Sequence, residues 1–352
     1  METGLNILKV FGLSALSFFV GFFLTPILTH YLYKYKAWKK NARDKALSGE
    51  EAVVFKKFHQ EKEVSTPRMG GILIWGSTLL VSLFFWLIWQ VLPSVFTEKI
   101  NFLSRAQTWL PLFALISASV IGLVDDIFQV KGKGSYIGGG LSLKKRLLLV
   151  ALIGLIGGVW FYAKLGADTL NIPFVGEFQI GWLLVPFFIL VMLATFSGGV
   201  IDGLDGLAGG VFASIFAAYA GIAFFQNQID LAAFCAVLTG AILAFLWFNI
   251  PPARFYMGET GTLGLTACLT TIAFLTDSVL VLPVIAFPLV AASGSAIIQI
   301  LSKRFFHKKV FIAAPIHHHF EAKNWPSYKV TMRFWVIGVV FAIIGMVAAL
   351  IG

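Results

Sequence analysis

Residues 231–249 read LAAFCAVLTGAILAFLWFN, a stretch without a single charged side chain. The hydrocarbon core of a bilayer is about 30 Å thick, and each residue of an α-helix advances about 1.5 Å, so about 20 mostly apolar residues are needed to cross it. The length and apolarity of this stretch therefore predict a transmembrane helix.

Stretches of the same kind recur along the chain, which has 352 residues, 58% of them hydrophobic and 12% charged. Asp277 and Pro283 interrupt the apolar region 261–302, which favours two helices joined by a tight turn, because one span needs only about half that length. We predict an all-α, polytopic integral membrane protein with about ten transmembrane helices in a single domain, 1–352. The predicted spans are 8–33, 70–92, 107–128, 146–166, 180–199, 206–226, 231–249, 261–277, 279–302 and 333–352.

The distribution of lysine and arginine orients these helices. Of 27 such residues, 23 lie in alternate loops, namely 34–68, 131–146, the loop with Arg254, and 303–333. The positive-inside rule places these loops in the cytoplasm and both termini outside, and an even number of spans also puts the termini on one side. The net charge of +10 thus reflects topology and attraction to anionic lipids, and it does not indicate nucleic-acid binding.

Two smaller features belong to the spans and to the predicted outer face. Cys235 and Cys268 fall inside predicted spans, which argues against a disulfide framework. The external connections are short except for 167–179, where two short segments predict a small β-hairpin.

Carboxylates gather in three short clusters, each where an apolar stretch ends: Asp125-Asp126, Asp202 with Asp205, and Glu259. A carboxylate at the margin of a span is costly unless a cation or a hydrogen-bond donor compensates it. Three such clusters on one membrane face suggest a cation site that handles phosphate. The alternative for Asp125 and Asp126 is a helix-end pair that simply faces water.

The string Ser197–Gly210, SGGVIDGLDGLAGG, contains six glycines, which expose backbone N–H groups and permit tight turns. Asp202 and Asp205 are three residues apart and would share one face of a helix. Donors beside acids suit the base or sugar of a nucleotide. The alternative is close helix packing through small residues, which leaves the two acids unexplained.

Two later loops carry aromatic and imidazole side chains. In Asn249–Gly261, Tyr256 could stack on a base and Arg254 could meet a phosphate, although an interfacial anchor is a rival interpretation for Tyr256. The consecutive histidines 317–319 diverge too far to bind one zinc ion together. They fit donors to phosphate or carbohydrate oxygens, or a hydrogen-bonded structural loop.

Lys144, Lys145 and Arg146 stand where the fourth predicted span begins. Their positive charges could hold a phosphate group. They could equally anchor the helix to lipid head groups. The sequence favours neither interpretation.

Taken in chain order, these motifs resemble those of the MraY family, the phospho-N-acetylmuramoyl-pentapeptide transferases of the polyprenyl-phosphate N-acetylhexosamine-1-phosphate transferase superfamily. The resemblance runs nearly end to end and includes ten spans with both termini outside. The last matching string, with Trp325-Pro326 and Arg333-Phe-Trp335 after it, resembles this branch rather than its relatives. The matching strings are Ser65-Thr-Pro-Arg-Met-Gly-Gly71, Gly122-Leu-Val-Asp-Asp126, Asp202-Gly-Leu-Asp-Gly-Leu207, Phe245-Leu-Trp-Phe-Asn249, Tyr256-Met-Gly-Glu259 and Ala314-Pro-Ile-His-His-His-Phe-Glu321.

The resemblance implies that phospho-N-acetylmuramoyl-pentapeptide passes from a UDP-linked precursor to undecaprenyl phosphate, giving lipid I and UMP, with Mg²⁺ as cofactor. It implies a multi-pass protein of the bacterial inner (plasma) membrane whose partners are the two substrates and the lipid bilayer, with no nucleic acid. It is also compatible with a homodimer. The active site would face the cytoplasm and be formed by loops at about 34–69, 125–145, 197–206, 249–262 and 303–332.

The resemblance also implies roles for individual residues. Catalytic roles would belong to Asp125, Asp126, Glu259, His317 and His318. Metal ligands would be Glu259 and Asp202. Substrate-binding residues would be Asp202, Gly203, Leu204, Asp205, Tyr256, Gln299, Ala314 and His319. To these we add Lys144, Lys145 and Arg146, on the ground of their charge and not of the resemblance.

Three positions depart from the family pattern. Glu259 stands where the family has Asp, Gly199 where it has Asn, and Ala291 or Ala292 where it has Glu. The other functions we consider are a sister transferase that uses UDP-N-acetylglucosamine, an inactive homologue, and a lipid transporter. A transporter would need charged residues near mid-span or paired broken helices.

Two chemical routes fit the implied reaction. A phosphomonoester has a second pKa of about 6, so the lipid phosphate is mostly dianionic at neutral pH and needs no strong base. We favour direct attack, with Mg²⁺ held by Glu259 and one acid of the Asp202–Asp205 string. Asp125 or Asp126 would orient the lipid phosphate or take a residual proton. A covalent aspartyl-phosphate intermediate is the competing route.

Overall fold

The computed structural model is a bundle of α-helices with one small β-hairpin, and it describes residues 2–40, 63–104, 107–134 and 139–352. The part of the predicted active-site loop 34–69 that covers residues 41–62 lies outside the described residues. The same holds for residues 135–138 of the predicted loop 125–145.

The helices follow the predicted spans closely. A π-helical turn over Leu8–Gly12 joins the first two helices, and 3₁₀ turns over Gly181–Leu183 and Gly198–Ile201 flank α7. The elements are α1 Glu2–Ile7, α2 Leu13–Lys34, α3 Gly71–Val91, α4 Val95–Ile100, α5 Trp109–Val130, α6 Leu143–Lys164, β1 Thr169–Ile172, β2 Gly176–Gln179, α7 Leu184–Ser197, α8 Leu207–Phe225, α9 Ile229–Asn249, α10 Gly258–Leu275, α11 Leu282–Ile285, α12 Phe287–Phe306, α13 Ile316–Ala322 and α14 Ser327–Ile351.

Nine stretches of the described chain are helical, long and apolar enough to cross a membrane, and each overlaps a predicted span, although the span predicted as 279–302 is found at Phe287–Phe306. The one remaining predicted span, 261–277, corresponds to α10. This helix is rich in glycine and threonine and is not one of those nine. Every residue from Thr260 to Phe274 is buried in protein, so α10 has no need of a lipid-facing apolar surface. Its threonine hydroxyls donate to carbonyls one turn back, as from Thr266 to Thr262 and from Thr270 to Thr266.

The prediction of two helices within 261–302 is confirmed. Helix α10 ends at Leu275 and α12 begins at Phe287, and the turn between them contains Asp277 and the short helix α11 with Pro283. Asp277 takes a positive φ of 47° in that turn. The interruption contains the two residues that predicted it, but it is longer than a tight turn, and the second long helix begins at Phe287, eight residues after the predicted start at 279.

The predicted hairpin at 167–179 is also present, with Thr169 opposite Gln179 and Ile172 opposite Gly176. At its tip the Phe174 N–H donates to the carbonyl oxygen of the C-terminal Gly352. Near the N-terminus, the buried Lys9 ammonium contacts Asp230 and the carbonyl oxygen of Asn101. Gly352 thus contacts the hairpin, and Lys9 links the start of α9 to the segment that follows α4.

Helices α5 and α10 pack with their backbones in close contact, because small residues occupy the interface. A methyl group at Gly122 of α5 would overlap the backbone of Glu259 at the start of α10. One turn deeper, a methyl group at Gly264 would overlap the Ser119 hydroxyl. Asp125 and Asp126 lie three and four residues after Gly122, so this contact brings them to the first turn of α10.

Gly122→Ala is expected to lower the unfolding midpoint in detergent micelles, because the obstructing atoms belong to backbone and cannot rotate away. Overpacking of this kind costs about 1–3 kcal/mol. Gly76→Ala on α3 is the matched control, since no atom lies within 4 Å of the added methyl group. An equal midpoint for both variants would contradict this account of the interface.

Candidate active site

The first turn of α10 is the centre on which the predicted acids converge. The Asp126 carboxylate accepts hydrogen bonds from the N–H groups of Glu259, at 3.1 Å, and Thr260, at 3.0 Å. Asp202 Oδ2 accepts from the Gly258 N–H at 3.1 Å. The first N–H groups of a helix have no partner within the helix and carry partial positive charge, so two carboxylates here are favourable.

Arg68 supplies a positive charge beside these acids. Its Nε lies 3.4 Å from Asp126 Oδ1, and its charge also acts on the carboxylates of Asp202 and Glu259. Backbone hydrogen bonds fix the preceding segment: the Tyr256 N–H donates to Pro67, and the Gly70 N–H donates back to Tyr256. Sequence reasoning missed this role, because it counted Arg68 only as a topology residue within a string that carried the family resemblance.

Arg146 joins the other two acids. Its Nη1 lies 2.6 Å from Glu259 Oε1, its Nη2 lies 3.3 Å from Asp125 Oδ2, and its Nε donates to the Leu141 carbonyl oxygen. Asp125 also accepts hydrogen bonds from the Gln129 side chain and from the Leu141 N–H. Arg146 and Asp125 are buried, whereas the Glu259 side chain is 24% exposed.

The structure separates the three consecutive cations that the sequence grouped. Arg146 faces inward and is buried, while Lys144 and Lys145 are exposed. Successive side chains of a helix point about 100° apart, so Lys144 and Lys145 do not share the inward direction of Arg146. The structure thus brings Arg146 to the acids and does not bring Lys144 or Lys145 there. Substrate binding by those two lysines stays a prediction.

Two side chains at the open edge of this centre have shifted pKa values. Burial raises the pKa of Asp202 to about 6, against the opposing charge of Arg68 and the Gly258 hydrogen bond. Burial also raises the pKa of Tyr256 to about 12, and the negative charge of Asp205 adds to the shift. Tyr256 therefore stays an uncharged phenol at neutral pH. The carboxyl group of Asp202 titrates about one pH unit below neutrality.

The loop Asp202–Gly206 is fixed by contacts with three other segments. The Gly206 N–H donates to the Asn249 side-chain oxygen, and the Ala253 N–H donates to the Asp205 carboxylate at 3.3 Å. The Trp335 indole donates to the Gly206 carbonyl oxygen at 3.1 Å. Gly206 itself takes a positive φ of 78°, which favours glycine at this turn. Leu204 is buried in the same loop.

Gly203 brings this loop against the histidines of α13. A side chain at this position would overlap the His317 ring and approach the His318 ring. His317 is fully buried, and His318 Nδ1 lies 2.7 Å from the carboxylate of Glu321. The histidine string therefore adjoins the aspartate loop, as the predicted shared site requires.

Gln299 and His319 hold the loop before α13. Gln299 accepts from the N–H groups of Val310 and Phe311 and donates to the Phe311 carbonyl oxygen. His319 Nδ1 accepts from the Ile312 N–H at 3.1 Å. Ala314 lies half-buried farther along this loop. These contacts fix the loop, and the substrate-binding roles of Gln299, Ala314 and His319 stay predictions.

No three histidine, cysteine, aspartate or glutamate side chains form a ready metal-binding group within the part of the chain that the structure describes. Mg²⁺ does not require one, because proteins usually hold it by one or two carboxylates together with water and substrate phosphates. The centre has four carboxylates, those of Asp125, Asp126, Asp202 and Glu259, and two guanidinium groups, from Arg68 and Arg146. When all are ionised, two negative charges are left over, which suits a divalent cation.

Asp202 and Glu259 are the more open of the four acids, since Asp125 and Asp126 are at most 1% exposed. These two could hold a cation at the edge of the site, with the buried aspartates behind them. The mixture of acids, guanidinium groups and imidazoles suits a ligand that carries phosphate groups together with a divalent ion.

Comparisons with known proteins identify relatives of the chain. Residues 108–277 match the profile of the family described as Glycosyl transferase family 4. The chain is 35% identical to a protein of Geobacillus thermodenitrificans (strain NG80-2), over 94% of this chain and 95% of that relative. It is 36% identical to a Listeria monocytogenes serovar 1/2a protein, over 81% of this chain and 85% of the relative. A Dichelobacter nodosus protein is 37% identical over 81% of this chain and 80% of the relative. All three relatives are named phospho-N-acetylmuramoyl-pentapeptide-transferase.

Proposed function

The chain belongs to the phospho-N-acetylmuramoyl-pentapeptide-transferase family, and from this membership we propose its reaction. It transfers phospho-N-acetylmuramoyl-pentapeptide from the UDP-linked precursor to undecaprenyl phosphate, which gives lipid I and UMP in peptidoglycan synthesis. The observation that carries this proposal is the similarity over nearly the whole chain to proteins of that name. The alternative donor, UDP-N-acetylglucosamine, is not favoured by those names.

The protein is a multi-pass membrane protein, and we propose that it lies in the bacterial inner membrane with its site facing the cytoplasm. The support is the concentration of lysine and arginine in the loops on the side of the site. The cytoplasmic side also suits a nucleotide-linked donor, because nucleotides are made in the cytoplasm. The homodimer stays a prediction of the family resemblance.

We further propose that Mg²⁺ is the cofactor and that Glu259 and Asp202 hold it. The support is the pair of partly open carboxylates and the two uncompensated negative charges of the centre. The Glu259 side chain is one methylene longer than the aspartate of the family pattern. Its backbone is fixed in the first turn of α10 by the hydrogen bond from the Glu259 N–H to Asp126. When bound, Mg²⁺ would neutralise charge on the phosphates of the donor.

The resident side chains perform the remaining tasks of the reaction. Two polyanions must approach each other, and the fixed positive charges of Arg68 and Arg146 lower that repulsion. We favour direct attack of the lipid phosphate on the donor. An aspartate nucleophile needs an accessible oxygen, whereas Asp125 and Asp126 are buried and hydrogen-bonded through both of their oxygens. In this proposal both aspartates position Arg146, Arg68 and α10, in place of the direct role toward the lipid phosphate that the sequence led us to expect.

The function is tested by supplying purified protein and undecaprenyl phosphate with either UDP-linked donor. We expect UMP release and lipid I formation with UDP-N-acetylmuramoyl-pentapeptide only, loss of activity with EDTA, and recovery with Mg²⁺. Glu259→Asp should retain activity and Glu259→Gln should lose it. Equal turnover of UDP-N-acetylglucosamine would indicate the sister transferase, and turnover of neither donor would indicate an inactive homologue.

Direct attack is tested by isotope exchange without a lipid acceptor. Labelled UMP is then expected not to enter the UDP-linked donor, because the acceptor itself must displace UMP. A covalent aspartyl-phosphate would release UMP reversibly and allow the exchange. Lipid I formation by the same preparation, once undecaprenyl phosphate is added, controls for active protein. Label in the donor without acceptor would contradict direct attack.

The pH dependence tests the role of Asp202, whose ionised form would bind the cation. Because its pKa is about 6, kcat/KM at limiting Mg²⁺ is expected to fall as the pH drops through about 6. Arg68 lowers this pKa, so Arg68→Gln should move the acidic limb toward higher pH. Arg68→Lys keeps the charge and should leave the limb near its wild-type position. An unmoved limb in Arg68→Gln would exclude Asp202 as its origin.

A further inference from the structure

Arg146 occupies a position that a topology anchor would not. It begins a membrane-spanning helix, yet its side chain is only 6% exposed, and each of its three nitrogens contacts an oxygen of a different residue. The neighbouring Lys144 and Lys145 are exposed and could serve as anchors. The closest of its contacts is to Glu259, the acid proposed above as a metal ligand.

We propose that Arg146 is a resident counter-ion that competes with Mg²⁺ for Glu259 and thereby makes cation binding depend on release of this ion pair. The inference rests on the proposed function, because it assigns Glu259 to the cation. Arg146 is a positioning residue in this account, since it acts through the glutamate.

The surrounding contacts hold Arg146 in place while it releases Glu259. Its Nη2 stays beside Asp125 and its Nε stays on the Leu141 carbonyl oxygen. The Leu141 N–H in turn donates to Asp125, so Arg146, Leu141 and Asp125 form a closed polar network, to which Gln129 is attached through its hydrogen bond to Asp125. Glu259 lies outside this network, is more exposed than Asp125, and is attached to it through Arg146 Nη1.

The geometry of arginine explains why this residue suits the task. Its planar fork contacts two carboxylates and a carbonyl oxygen at once, whereas lysine presents a single ammonium group. A lysine at this position could neutralise one acid but could not hold Glu259 together with Asp125 and Leu141. The competition should therefore depend on the fork and not only on positive charge.

The test is cation binding to the purified full-length protein without substrates. Mn²⁺ binding is followed by electron paramagnetic resonance, Mg²⁺ is titrated in competition, and the Mg²⁺-dependent rise of the unfolding midpoint gives a second readout. Arg146→Gln should tighten Mg²⁺ binding about tenfold, which corresponds to about 1.4 kcal/mol. The network leaves Asp125 bonded to Gln129 and Leu141 in this variant, which supports its folding.

Two further variants separate the ion pair from general electrostatics. Arg146→Lys keeps the charge and loses the fork, so it should also tighten Mg²⁺ binding, by about threefold, an intermediate effect. Lys145→Gln removes a positive charge one residue away and should change the binding less than twofold, as an exposed charge screened by water does. Glu259→Gln combined with Arg146→Gln should abolish the tightening.

Unchanged or weaker Mg²⁺ binding in Arg146→Gln would overturn the proposal. So would wild-type affinity in Arg146→Lys, because charge alone would then explain the data. If Arg146→Gln does not fold, Arg146→Lys decides the question by the same criterion. The wild-type protein could form lipid I while Mg²⁺ binding stays unchanged in the variants. That result would reject the competition between Arg146 and Mg²⁺ for Glu259 and leave the proposed function intact.

Discussion

The first turn of α10 presents the N–H groups of Gly258, Glu259 and Thr260 inside the protein, away from bulk water. Such groups have no partner within their own helix and must find acceptors elsewhere when they are buried. Asp126 from α5 and Asp202 from the turn after α7 provide those acceptors. The convergence of acids in this protein is therefore also the capping of a buried helix, and the fold and the site depend on the same hydrogen bonds.

Acids in this position require counter-charges, because a buried carboxylate without a partner is strongly destabilising. Arg68, from the segment before α3, stands beside Asp126, and Arg146, from the start of α6, joins Asp125 to Glu259. Each arginine belongs to a loop whose positive charge also predicts topology. One arginine can therefore both orient the protein in the membrane and neutralise a carboxylate of the site.

Much of the architecture could be predicted because a bilayer imposes a length and a composition on whatever crosses it. The hairpin at 167–179 lies where the sequence put it, and the helical stretches overlap the predicted spans, although the helix predicted to begin at 279 begins at Phe287. Sequence reasoning also grouped five acids at span ends, since such acids are costly without a function. The structure brings four of them together, whereas the carboxylate of Asp205 accepts from the Ala253 N–H. Sequence reasoning did not single out Arg68, because a lone arginine near a span end is ordinary in a membrane protein.

The sequence by itself determined the spans, their orientation relative to one another and the acids that gather on one face, because these follow from local apolarity and charge. Only the tertiary structure decided which partner each acid has. Lys144, Lys145 and Arg146 are adjacent and equally basic in the chain, and only the rotational position of α6 directs Arg146 inward. The pairing of Asp126 with Thr260, 134 positions apart, likewise needs the close contact of α5 with α10, which no local pattern encodes.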